Sequence, residues 1–277
     1  MNDKPARPAT GRAGRNLPWA FAIGIGLLAL VGVSLVLAQP VFVGLVAVAA
    51  CVGCWELARA CGRADIHVSL PPLWMGTVGM VVCAWQLGTE ATWMALFLTV
   101  GALGLWRLLD GGGLHALRDV LASTLLAMYV PFLASFVVLT YVHGGPWPIV
   151  TFVLGTVSND IGGYATGVLF GKHKLAPSVS PSKSWEGLCG SVTMSMIVVT
   201  VCLWLLGAPV WVGPLLGAAS ALLATLGDLG ESLIKRDVGL KDMGSLLPGH
   251  GGLMDRLDSL LVTAPLYYVV FSLVCGW

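Results

Sequence analysis

Charge is scarce in this sequence. Asp, Glu, Lys and Arg make up 10% of its 277 residues, against about 25% in soluble domains. A chain so poor in charge does not read as a soluble enzyme or a disordered segment. The 15 basic and 14 acidic side chains leave a net charge of +1, which gives no electrostatic case for nucleic acid as a partner. Histidine is sparse as well: His67, His115, His143, His173 and His250 show neither H-x-x-x-H nor H-E-x-x-H spacing, so a zinc site is not expected. The seven cysteines are scattered, and the lone C-x-x-C, Cys51 and Cys54, lies inside an apolar run. They read as small packing residues rather than a disulfide framework or metal site. A P-loop is missing too: the stretch from Gly167 to Gly171-Lys172-His173 is one residue short and lacks the terminal hydroxyl.

Apolar residues are abundant, at 57% of the chain, with a mean hydropathy of +0.86. They come in continuous runs and do not alternate, which points to an all-α, polytopic integral membrane protein and away from a β-barrel. Nine runs are long enough to be considered as spans: 17–38, 40–60, 70–87, 89–109, 117–141, 146–170, 185–207, 209–233 and 257–277. The basic residues test that count. Lys4, Arg7, Arg12 and Arg15 precede the first run, and Arg59 and Arg63 follow the second. Arg107 and Arg118 flank the link after the fourth, Lys172, Lys174 and Lys183 follow the sixth, and Lys235, Arg236, Lys241 and Arg256 the eighth. Nine spans put all of them on one face, which the positive-inside rule makes cytoplasmic, with the N-terminus inside and the C-terminus outside. The expected organisation is a disordered cytoplasmic arm (1–16), five N-terminal spans (17–141) and a catalytic region (146–277) with cytoplasmic loops 171–184 and 235–256. The expected location is the inner, cytoplasmic membrane.

Acidic residues within apolar spans are costly and functional by default. Asp160 lies in Ser158-Asn159-Asp160 of the sixth run, and Asp228 near the end of the eighth. Asp228, Glu231, Ser232 and Lys235 follow at i, i+3, i+4 and i+7, one stripe of a helix. Asp255 and Asp258, at i and i+3, open the last run. Between residues 228 and 258 stand six acidic and four basic side chains. A solvated loop explains the charge but not the carboxylates on matching faces, nor Gly249-His250-Gly251-Gly252, which suits close backbone approach to a ligand. Asp228, Asp255 and Asp258 are expected to hold Mg²⁺, and Asp160 is a further candidate ligand. Lys235, Arg236 and Arg256 would neutralise a polyphosphate, alongside Lys241, His250 and the backbone of Gly251 and Gly252. The loop Ser180-Pro181-Ser182-Lys183-Ser184-Trp185-Glu186-Gly187 places hydroxyls around a lysine at a helix start, as a phosphate-binding turn would. Its plainer reading is a Ser/Pro-rich linker.

The run from Ser232 through Lys235-Arg236, Lys241-Asp242-x-Gly244, Leu247-Pro248-x-His250-Gly251-Gly252 to Asp255-Arg256-Leu257-Asp258 resembles the signature of phosphatidate cytidylyltransferases, also called CDP-diacylglycerol synthases. Every fixed position is filled over 27 residues. The Ser180–Gly187 loop resembles the same family's Ser-Pro-x-Lys-Thr-x-x-Gly segment, with Ser184 in place of Thr. The stretch from Asp160 to Leu175 is also similar, with Asn159 and Gly163 as departures. The resemblance implies the reaction CTP + phosphatidate → CDP-diacylglycerol + pyrophosphate in phospholipid synthesis, in a homodimeric bilayer enzyme with Mg²⁺ and room for K⁺ as a second cation. It also implies Asp228, Asp255 and Asp258 as metal-holding carboxylates, with Ser232, Lys235 and Arg236 as essential polar groups. Two other readings compete. A CTP-dependent polyprenol or lipid kinase would release CDP instead of pyrophosphate. An ion-coupled secondary transporter would show an inverted repeat, whereas here the charged motifs occur only in the second half.

Overall fold

The computed structural model describes residues 17–240, 242–244, 246 and 251–276. The expected N-terminal arm, Lys241 and His250 lie outside these residues. The chain order is α1 (Leu17–Leu37), α2 (Gln39–Gly62), α3 (Leu70–Gln86), α4 (Thr89–Leu109), α5 (Ala116–Ala127), a π turn (Met128–Phe132), α6 (Leu133–Gly144), α7 (Pro146–Phe170), β1 (Lys174–Ala176), β2 (Ser180–Ser184), α8 (Trp185–Leu205), α9 (Val212–Asp237) and α10 (Met254–Cys275). Among the described residues the fold is helical apart from one two-stranded hairpin.

Local chemistry sets these boundaries. Pro40, Pro71 and Pro146 lie in the first turns of α2, α3 and α7, where a missing N–H costs nothing and the fixed φ is already helical. Pro131 sits instead inside the π turn. There the missing donor is absorbed by one wide turn, so α5 and α6 run on as a single rod. Gly145, with φ +72°, separates α6 from α7. Counting that rod once, the described residues hold nine continuous helical segments, each overlapping one of the nine apolar runs. Six are both long and apolar enough to cross a bilayer: 39–62, 89–109, 116–144, 185–205, 212–237 and 254–275. Two others are shorter: the apolar stretch of α1, Gly24–Leu37, and the 17-residue α3. The polar Ser158-Asn159-Asp160 triplet dilutes α7.

The core lies among α2, α3, α4, α6 and α10, where Leu57, Leu73, Met80, Leu103, Leu139 and Met254 are fully buried. Around the site, small residues do the packing. A Cβ at Gly162 of α7 would run into the Gly190 carbonyl of α8, and one at Gly217 of α9 into the backbone at Ser195 and Met196. Close approach through glycine is the usual way helices associate where no water drives them together. It brings α7, α8 and α9 side by side.

The segment 171–184, expected as a loop, is instead an ordered antiparallel hairpin with Lys174 opposite Ser184 and Ala176 opposite Ser180. Glu186, in the first turn of α8, fastens its base. Lys172 N and His173 N donate to Oε2 at 3.1 and 3.2 Å, and His173 Nδ1 donates to Oε1 at 2.6 Å. Ser184 caps α8 by accepting from Gly187 N at 3.1 Å.

Candidate active site

Helix α9 supplies the stripe read from the sequence. Its lower turns present Asp228, Glu231, Ser232 and Lys235 toward α10 and the hairpin. Glu231 is 1% exposed and Asp258, arriving from α10, is 7% exposed. One oxygen each from Asp228, Glu231 and Asp258 lie within 4.8 Å of one another. Carboxylates this close repel unless a cation offsets them. Two lysines do part of that work. Lys183 Nζ, carried in by β2, reaches Asp228 Oδ2 at 2.5 Å, and Lys235 Nζ reaches Glu231 Oε2 at 2.7 Å. Glu231 Oε1 is buried with no hydrogen-bond partner among the described residues. An all-oxygen donor set with a buried, unsatisfied carboxylate oxygen fits a hard divalent cation such as Mg²⁺.

Asp255 is placed differently from its expected grouping. Its Oδ1 accepts from Lys235 Nζ at 2.9 Å, and its Oδ2 from Gly252 N at 2.7 Å and Met243 N at 3.0 Å. The physical reason is position. Asp255 is in the first turn of α10, so its carboxylate turns back onto the preceding loop, whereas Asp258, a turn later, points into the bundle. Glu231 takes the third place in the carboxylate group, and Lys235 bridges the two acidic sets. Gly251 holds φ +85° in this loop, which L side chains rarely adopt.

The remaining expected residues fall around this centre. Ser232 Oγ donates to Asp228 Oδ1 at 3.5 Å, a weak contact. Arg236 is exposed, with Nε toward the Val179 carbonyl of the hairpin turn at 3.4 Å. Arg256 is exposed on α10. A cavity of about 300 Å³ is lined by Asp160, Ser182, Lys183, Ser184 and Asp228. The two segments singled out by sequence therefore meet at one place. Asp160 enters that cavity from α7, with Asn159 Nδ2 donating to its Oδ1 at 3.3 Å.

One residue was missed by the sequence reading. Glu56 of α2 is 1% exposed, and its Oε2 accepts from Met254 N, at the start of α10, at 2.8 Å. A Cβ at Gly244 or Gly252 would collide with its carboxylate, so those two glycines let the loop lie directly on it. The signal was available: an acidic residue inside an apolar span is a functional candidate by default. On the other side of α9, Leu57, Leu126, Tyr129, Leu226 and Val262 line an apolar cavity of about 360 Å³ beside Gly227.

Comparison with known proteins adds to this geometry. The chain is 39% identical over 296 residues to a phosphatidate cytidylyltransferase of Mycobacterium bovis, covering 98% of this chain and 96% of the relative. It is 39% identical over 282 residues to the phosphatidate cytidylyltransferase of Mycobacterium leprae, covering 96% and 90%. With that of Thermotoga maritima it shares 34% identity over 172 residues, covering 57% and 62%. The family profile described as the cytidylyltransferase family matches residues 20–274, and the chain belongs to that family.

Proposed function

We propose that this protein is a phosphatidate cytidylyltransferase that joins CTP and phosphatidate into CDP-diacylglycerol and releases pyrophosphate. The observation that carries the reading is the convergence of Lys183, from the hairpin, onto Asp228 of the buried Asp228–Glu231–Asp258 group. Nucleotidyl transfer between two anions needs charge compensation more than covalent chemistry, and this centre concentrates charge of both signs in an apolar setting. Full-length similarity to enzymes of that name supports the same reading.

Asp228, Glu231 and Asp258 would hold Mg²⁺, which supplies Lewis-acid neutralisation of the polyphosphate. Asp255 would join them, as the family resemblance implies, and K⁺ would be a second cation. Lys183 and Lys235 leave their carboxylates for phosphate oxygens when substrate enters. Ser182, Ser184 and Arg256 line the approach, with Lys241, His250 and the Gly251-Gly252 backbone assigned to the nucleotide from the signature alone. A phosphatidate oxygen attacks the α-phosphorus of CTP. The new P–O bond forms in line as the bond to the β-phosphate breaks, and pyrophosphate departs. The monoester is already ionised near neutral pH, so no strong general base is required. The apolar cavity beside Gly227 suits an acyl chain.

On this reading the chain has nine spans, with the N-terminus inside and the C-terminus outside, the centre opens to the cytoplasmic face of the inner membrane, and the enzyme is a homodimer. The segregation of basic residues supports the orientation. The test is purified protein with labelled CTP, phosphatidate and Mg²⁺, with both products identified. CDP-diacylglycerol and pyrophosphate in equal amounts are expected. Release of CDP with a phosphorylated lipid would overturn the reading in favour of a lipid kinase, and no nucleotide turnover would overturn it altogether.

A further inference from the structure

A second polar cavity, of about 460 Å³, opens between α2 and the loop before α10, and its walls include Trp55, Glu56, Arg59, Arg63, Asp242 and Gly244. No residue of the Asp228–Glu231–Asp258 group lines it. Its composition is unusual for this protein: two guanidinium groups, two carboxylates and an indole in a chain with 10% charged residues. The Arg59 guanidinium lies over the Trp55 ring, 5.6 Å from its centroid, which sets a planar pair on the wall. Glu56 is 1% exposed. Its Oε2 is taken by Met254 N, while its Oε1 has no partner among the described residues.

We propose that this cavity receives the cytosine base of the nucleotide, with Glu56 and the arginines reading its edge. The proposal rests on the CTP-dependent activity above and assigns the base a place within it. Balanced charge argues against a phosphate subsite, since two carboxylates would oppose the anion. It suits a neutral heterocycle with donors and acceptors on one edge. Cytosine offers an amino donor at N4 and acceptors at N3 and O2, and a carboxylate accepting from N4 is its usual partner. Arg59 or Arg63 supplies the donors for N3 and O2. Uracil reverses the first two groups, placing O4 against the carboxylate. Position supports the assignment as well. Gly252 stands between Glu56 and Asp255: a Cβ there would meet both Glu56 oxygens, while its N–H donates to Asp255. A base beside Glu56 is thus separated from the Lys235–Asp255 network by one layer of backbone.

The test is the full-length enzyme with Glu56→Gln, varying CTP and UTP at saturating phosphatidate. Gln keeps a carbonyl for Met254 N and turns an NH₂ where Oε1 stood. KM for CTP is expected to rise about 10- to 150-fold, the loss of one charge-assisted hydrogen bond. The CTP-over-UTP preference in kcat/KM should fall by at least about tenfold, with kcat changing less than KM. Equal loss of kcat on both nucleotides at unchanged KM would overturn the proposal and leave Glu56 as a support for the loop. Arg59→Gln and Arg63→Gln cover the case in which Glu56→Gln does not fold, because both side chains are exposed. A raised KM for CTP at unchanged thermal stability in either supports the proposal, and an unchanged KM in both overturns it. Failure of the wild-type enzyme to use CTP at all is a different result, and it would reach the proposed function itself.

Discussion

Asp255 and Asp258 stand one turn apart on α10, yet their surroundings differ in kind. Asp255 is met by donors: the Lys235 ammonium and the N–H groups of Met243 and Gly252. Asp258 is met by Ser259 N at 2.6 Å and otherwise by the carboxylates of Asp228 and Glu231. A carboxylate ringed by donors is satisfied by the fold and orders the loop around it. One gathered with other carboxylates is a deficit that a cation fills. Two identical side chains, spaced alike on paper, thus meet different surroundings because of which way the first turn of a helix faces.

That contrast can be sharpened or broken. Asp258→Asn is expected to lower kcat by about 1,000-fold and to raise the Mg²⁺ concentration for half-activation, read by titrating Mg²⁺ at fixed CTP. Asp255→Asn should lower activity by about 100-fold, as losing an orienting group does, with a smaller shift in the Mg²⁺ requirement. An equal or larger shift would make Asp255 a ligand on the same footing and erase the contrast. Lys183→Gln removes the ion pair to Asp228 and should cost about 10- to 150-fold in kcat/KM for CTP. Lys174→Gln, on the exposed side of the hairpin, should cost far less. Equal small effects would return the hairpin to the role of a linker. Gly162→Ala should leave the Mg²⁺ requirement untouched. It should lower thermal stability in detergent, by about 1–3 kcal/mol for overpacking against the Gly190 backbone.

The helical segments were legible because lipid-compatible runs are long and continuous. The expected 146–170 coincides with α7, and 185–207 with α8 to within two residues. The signature was legible because its residues crowd into one stretch of chain. The apolar run predicts a start at Pro209, whereas α9 begins at Val212, since apolar character does not distinguish a helix from the turn leading into it. The hairpin was hidden because Ser-Pro-Ser-Lys-Ser lacks the alternation of a strand; its order comes from Glu186, a residue of the next helix. The partnership of Lys235 with both Glu231 and Asp255 and the reach of Glu56 to α10 depend on which helices become neighbours. Periodicity along one segment carries no record of that.

The bond from Met254 N to Glu56 joins residues 198 apart in the chain, and it bears on how the protein is made. Synthesis runs from the N-terminus, so α2 is complete long before α10 exists. Through that interval Glu56 is an acidic group in an apolar helix whose partner has not been translated, a costly condition in a membrane. Arrival of α10 gives Glu56 Oε2 its donor and, in the same event, delivers Asp255 and Asp258 beside Lys235 and Glu231. Docking of the last helix and gathering of the acidic group are therefore one step, and an intermediate stalled before that helix lacks both Asp258 and the Met254 donor to Glu56.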